Sequence, residues 1–107
     1  MEATLVNILV RIVSVILVVS CALPAFAGES IKLGAILAET GPASFLGTPE
    51  AKTLRMLVEE INAKGGINGK KIELIIKDTG ADPQKAVSFA KQLIDEEKVF
   101  AIIGPST

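Results

Sequence analysis

Histidine, tryptophan and tyrosine are absent from this chain of 107 residues, and cysteine occurs once, at Cys21. Without histidine, the commonest general base near neutral pH and the commonest transition-metal ligand are gone. With no cysteine after residue 21, the rest of the chain has neither a disulfide nor a thiol nucleophile. Carboxylates and lysines remain, but the usual equipment of an enzyme is missing. Strong charge of either sign is absent too. Glu2 and Arg11 are the only charged residues before Gly28, and from Gly28 onward 10 basic residues meet 11 acidic ones. A near-neutral balance with no basic stretch argues against nucleic acid and an anionic membrane surface as partners.

Hydrophobic residues make up 50% of the chain, and the excess lies at one end. The 17 residues from Ile12 to Gly28 carry no charge. Arg11 precedes this run and "PAFAGES" follows it. A positive residue, a short apolar core and a small-x-small end describe a secretory signal peptide. Ala25 and Ala27 fit the small positions, so residues 1–27 are expected to be removed by cleavage after Ala27, leaving a periplasmic product. The alternative is a membrane anchor, but the run falls short of the ~20 apolar residues a spanning helix needs. "VVSC", ending at Cys21, resembles a bacterial lipobox, which would instead acylate Cys21 and anchor the protein by lipid.

From Gly28 the apolar pattern alternates in kind. Ile31 to Ala38, "IKLGAILA", reads as a first strand. "ETGPASFLG" is a loop of small residues. Thr48 and Pro49 suit a helix N-cap followed by proline at the first helical position. Ala51, Leu54, Val58 and Ile61 then recur at helical spacing, and Gly65-Gly66 ends the helix. Lys71 to Asp78 reads as a second strand. Asp82-Pro83 repeats the cap-plus-proline start, with Val87, Ala90 and Ile94 as the apolar stripe of a second helix, flanked by Ala86 and Leu93. Val99 to Ile103 is the third strand.

The order β-α-β-α-β predicts a three-layer α/β fold with a parallel sheet and right-handed crossovers. A spatial order of 2-1-3 places one helix on each face, as a parallel sheet requires. The winding then reverses between the first and third strands. The crevice outside their carboxyl ends is where open α/β sheets bind ligands.

Two segments meet at that crevice. In "TGPASFLG", Thr40 and Ser44 offer hydroxyls, Phe45 an apolar wall, and the start of the helix free N–H groups that favour an anion. The other reading is an ordinary polar loop with Phe45 in the core. In "GPST", Ser106 and Thr107 offer hydroxyl and backbone donors, or simply begin the next helix. Asp78 ends the second strand beside the crevice rather than in it, and Asp82 is explained as a cap. "GGINGKKIE" follows a helix and precedes a strand, the reverse of a phosphate loop. Neither a dinucleotide fingerprint nor a Walker sequence is present.

Taken together, the "TGP…G" loop, "INAKGGINGKKIEL", the "D…DP" before the second helix and "GPST" resemble the start of a periplasmic branched-chain amino acid binding protein. The likeness covers Ile31 to Thr107. It implies the type I periplasmic binding fold, in which two lobes close on an amino acid. It also implies a role as the substrate-binding subunit of an ABC importer, with membrane subunits as partners, no metal and no cofactor. Members of this family are several times longer, so residues 28–107 are expected to form the first part of lobe one, incomplete. Carried across, the ligand-binding candidates are Ser44, Phe45, Ser106 and Thr107, the last two acting mainly on the ligand's carboxylate. Two rivals stay open. One is the extracellular ligand-binding domain of a receptor with the same fold. The other is a flavodoxin-like enzyme domain, against which the signal peptide and the missing phosphate loop argue.

Overall fold

The computed structural model describes residues 1–20 and 28–107. Cys21, Ala25 and Ala27, on which the processing alternatives depend, lie outside the described residues. The first element is α1 (Glu2–Ser20), whose apolar side chains Leu5, Leu9 and Val13 are exposed. Among the described residues no helix is long and apolar enough to cross a membrane.

The chain then runs β1 (Ile31–Leu37), α2 (Ser44–Ala63), β2 (Ile72–Asp78), α3 (Pro83–Asp95) and β3 (Ala101–Ile103). The three strands form one parallel sheet in the order β2-β1-β3, as the alternation of elements predicts. Ile31 to Leu37 pair in register with Ile72 to Asp78, and Leu33 to Ala35 pair with Ala101 to Ile103. The central strand is the best buried. Ala35, Ile36, Leu37 and Ala38 are each 3% exposed or less.

Side chains of a strand alternate between its faces, and β1 uses both. Ala35 and Leu37 pack with Ala51 and Leu54 of α2 and with Leu74 and Ile76 of β2. On the opposite face, Leu93 of α3 lies against Gly34, where the absence of a side chain makes room for it. One helix therefore covers each face. Asn62 adds a polar tie: its amide donates to the Ile72 carbonyl at 2.8 Å and accepts from the Ile72 N–H at 2.7 Å. The side chain thus stands in for a strand neighbour at the start of β2.

Four local expectations change. The helix after β1 starts at Ser44, not after Thr48, and its N-cap position is Ala43, which makes no side-chain cap bond. Residues 44–47 are already wound because the Leu46 and Gly47 N–H groups bond the Ala43 carbonyl at 3.0 and 3.2 Å. Close packing holds this turn down, since any Cβ at Gly47 would overlap the backbone of Ala38. Pro49 consequently lies inside the helix, where it offers no N–H to the preceding turn.

The buried line of α3 also shifts by one residue. Leu93 is fully buried, while Val87 and Ile94 are 59% and 57% exposed. The pocket over Gly34 takes Leu93, and the sheet is too narrow to cover the neighbouring stripe. The third strand begins at Ala101 because the Val99 N–H bonds the Leu93 carbonyl at the end of α3 instead of the sheet. The first and second strands are each shorter by one residue, ending at Leu37 and starting at Ile72. Asp82 caps α3 as expected, accepting from the N–H groups of Gln84 and Lys85 at 2.8 and 3.2 Å.

Candidate ligand-binding groove

The carboxyl ends of β1 and β3 open onto a groove of about 640 Å³, within the roughly 300–1,000 Å³ typical of small-molecule sites. Its floor is Leu37 and Ile103. One wall is the first three turns of α2, from Phe45 to Leu54, and the other is Gly104 to Ser106. The strand exit is tight here. Gly104 has φ +109° and sits on the Ile36 backbone so closely that a Cβ would overlap the Ile36 carbonyl. Only glycine combines that torsion with that approach.

Of the four candidates, Phe45 and Ser106 line the groove. Phe45 is 74% exposed, so it belongs to the groove wall and not to the core. Ser44 opens α2, donating its N–H to the Gly41 carbonyl at 3.2 Å, and does not line the groove. Thr107 is exposed and does not line it either.

The loop after β1 is held from both sides. Ser106 Oγ accepts the Ala38 N–H at 3.4 Å from the β3 side. From the β2 side, Asp78 Oδ1 accepts the N–H groups of Glu39, Thr40 and Gly80 at 2.9, 3.2 and 3.0 Å. Asp78 Oδ2 accepts the Thr40 hydroxyl at 2.7 Å. That hydroxyl bond, together with the backbone donors, holds the Asp78 carboxyl below its ordinary pKa of 3.8, outweighing partial desolvation. Thr40 is therefore tied to Asp78 and not offered to the groove. Glu39 is held in turn by a bidentate pair with Arg55 at 2.9 and 3.2 Å.

Sequence reasoning missed the α2 residues of the groove. Leu46, Pro49, Glu50, Thr53 and Leu54 follow helical spacing along one face. The signal was present, since all but Leu46 fall inside the helix expected after Thr48, but only the apolar stripe of that helix was followed. Glu50 accepts the Ser106 hydroxyl in a hydrogen bond.

The fold is shared with proteins already known. Residues 30–107 match the family described as Periplasmic binding protein. The chain belongs to that family. Its fold is the first part of the type I periplasmic binding fold, as the resemblance implies. The chain is 42% identical over 78 residues to Leu/Ile/Val-binding protein homolog 7 of Brucella abortus, covering 73% of this chain and 19% of that protein. The crystal structure of the branched-chain amino acid transporter substrate binding protein LivJ from Streptococcus pneumoniae, in complex with isoleucine, superposes with a TM-score of 0.70 at 40% identity. That match covers 72% of this chain and 22% of the other. A third relative is the chemotactic signal transduction system substrate-binding protein BasB of Halobacterium salinarum, 36% identical over 81 residues, or 74% of this chain and 20% of that one. The chain spans about a fifth of the length of the curated relatives it matches.

Proposed function

We propose that this periplasmic binding protein segment serves the substrate-binding component of an ABC importer for amino acids, with branched-chain amino acids as the ligand class. It delivers its ligand to the membrane subunits of the transporter and catalyses no reaction. The observation that carries this reading is the groove itself, an aliphatic and aromatic trough of Leu37, Phe45, Leu46, Leu54 and Ile103 with Ser106 at one end. Such a trough suits a small apolar side chain. The names of the Brucella relative and of the isoleucine complex support the same class. Phe45 and Ser106 are the contacts we assign on this lobe, with Ser44 and Thr107 as neighbours that the same ligand reaches once the site is complete.

Residues 1–27 act as the export signal, cleaved after Ala27, and acylation of Cys21 is the alternative processing route. The intact mass of the native protein from the periplasmic fraction tests this directly. A chain beginning at Gly28 is expected; a lipid-modified Cys21 at the N-terminus would replace cleavage by anchoring.

Calorimetric titration of the intact periplasmic protein with leucine, isoleucine and valine tests the ligand class. Binding at micromolar concentration or tighter is expected, about −8 kcal/mol. Absence of binding to all three would overturn the assignment. The chemotactic relative favours a second reading, in which the protein presents ligand to a receptor. Deleting the gene separates the two. Loss of radiolabelled leucine uptake supports import, whereas intact uptake with loss of the response to a leucine gradient supports sensing.

A further inference from the structure

We infer that the turn after β2, Asp78 to Gly80, sets the ligand affinity of the groove without touching the ligand, with Asp78 as a positioning residue for the groove wall on α2. The inference rests on the amino-acid reading above and adds no contact to the ligand.

None of Asp78, Thr79 and Gly80 lines the groove. Each is committed instead to the chain leaving β1. The N–H and the hydroxyl of Thr79 both donate to the Leu37 carbonyl, at 2.9 and 3.4 Å, and Leu37 is the groove floor. Thr79 is 4% exposed, so water does not compete for these bonds. Asp78 takes the residues that follow, through the Glu39 and Thr40 N–H groups and the Thr40 hydroxyl. Gly41 then lies so close to Gly80 that a Cβ on it would come within 2.8 Å of the Gly80 carbonyl oxygen. The two strand exits are thus packed backbone to backbone.

Glu39 passes this constraint on to α2. Its N–H is held by Asp78 at 2.9 Å, its carbonyl accepts the Thr48 hydroxyl at 3.1 Å, and its carboxylate pairs with Arg55. Thr48 and Arg55 belong to α2, whose residues from Phe45 to Leu54 wall the groove. Every polar group of Glu39 is therefore claimed, one by the turn after β2 and two by the helix that carries the wall. A wall held in place before the ligand arrives does not have to be ordered on binding, so affinity depends on how firmly it is braced.

The test uses the intact periplasmic protein with leucine as the probe. Thr40→Val keeps the branched shape and removes the hydroxyl that Asp78 holds; Thr40→Ser keeps the hydroxyl. Each protein is titrated calorimetrically well below its own melting temperature, where circular dichroism shows it folded. Thr40→Val is expected to weaken leucine about fivefold, the equivalent of one net hydrogen bond, and Thr40→Ser to stay within about twofold of wild type. Added to Asp78→Asn, Thr40→Val should cost less than it does alone, because the two changes act on one bond. A lowered melting temperature with unchanged leucine affinity in Thr40→Val would overturn the inference, leaving the turn a role in folding alone. Equal weakening by Thr40→Ser and Thr40→Val would also overturn it, since the hydroxyl would not be the acting group. Full additivity with Asp78→Asn would do the same, because Thr40 would not act through Asp78. A wild-type protein that binds neither leucine, isoleucine nor valine would instead remove the functional reading on which the inference rests, and the inference with it.

Discussion

Asp78 grips Thr40 twice, through the hydroxyl at 2.7 Å and the backbone N–H at 3.2 Å, although 38 residues separate the two. The pair fastens the last residue of β2 to the loop that leaves β1. Parallel register makes this possible: Leu37 stands opposite Asp78, so the next residues of the β1 exit pass over the carboxylate. The loop that carries Phe45 into the groove therefore starts from a fixed point.

Asp78→Ala removes this anchor and is expected to destabilise the intact protein by about 2 kcal/mol, since hydrogen bonds to charged groups contribute ~1.5–3 kcal/mol each and partial exposure reduces the sum. The effect depends on pH. The Asp78 carboxyl titrates lower in the folded protein than its ordinary value of 3.8. Its contribution is thus present in full above that value and is lost as pH falls below it toward the folded pKa. Urea denaturation at pH 7 and at pH 3 checks this. The gap between wild type and Asp78→Ala should be clear at pH 7 and narrower at pH 3; a gap of equal size at both would show that the charge is not what holds the loop.

Asn62 is the second polar anchor that packing alone does not explain. Its amide closes a two-bond ring with Ile72, whose side chain is 9% exposed. Asn62→Ala leaves an N–H and a carbonyl in a half-buried place without partners, at a cost of about 1–3 kcal/mol. Asn62→Asp keeps the acceptor for the Ile72 N–H. Hydrogen exchange should therefore show the Ile72 amide losing protection in Asn62→Ala and keeping much of it in Asn62→Asp. Equal protection in all three proteins would remove this role.

The layer order, the central strand and the crevice between β1 and β3 were legible in the sequence, because strand and helix periods alternate cleanly from Ile31 to Ile103. Asp82-Pro83 was legible as a cap for the same reason: the signal is local. The start of α2 was not. Thr48-Pro49 carries a stronger local signal than Ser44, and the true start depends on Gly47 meeting Ala38, a contact between elements. Glu50 and Thr53 lay inside the expected helix all the same; they went unread because only its apolar stripe was followed, and the groove they line forms only where α2 meets the turn after β3. The shift from Val87 and Ile94 to Leu93 has a similar origin. Periodicity gives a stripe, but the vacant side-chain position at Gly34 decides which residue fills it.

The two outer strands leave apolar groups uncovered. Among the described residues β3 pairs with β1 alone, and Phe100 is 84% exposed beside it. Exposed edges of this kind pair with other chains. Residues 28–107 prepared alone are expected to associate at concentrations where a folded domain of this size stays monomeric, as read by sedimentation velocity. Ile103→Lys places a charge on the edge and should shift the distribution toward monomer. A wild-type segment that is monomeric and melts cooperatively at high concentration would show that this edge is not adhesive.

The same openness limits what the segment binds by itself. Phe45 lies 74% exposed on one wall, and the groove faces solvent, so a ligand seated against Phe45 and Ser106 keeps much of its surface in water. Hydrogen bonds made there are then screened by water, and each contributes less than it would in a closed site. A second lobe closing over the groove would exclude that water and strengthen the same contacts without altering one of them. Residues 28–107 alone are therefore expected to bind leucine more weakly than micromolar, the affinity equivalent to about −8 kcal/mol, even where the intact protein exceeds it. Parallel calorimetric titrations of the segment and the intact protein decide the point. Equal affinity in the two would mean that the Phe45–Ser106 groove is a complete site and that closure adds nothing to binding.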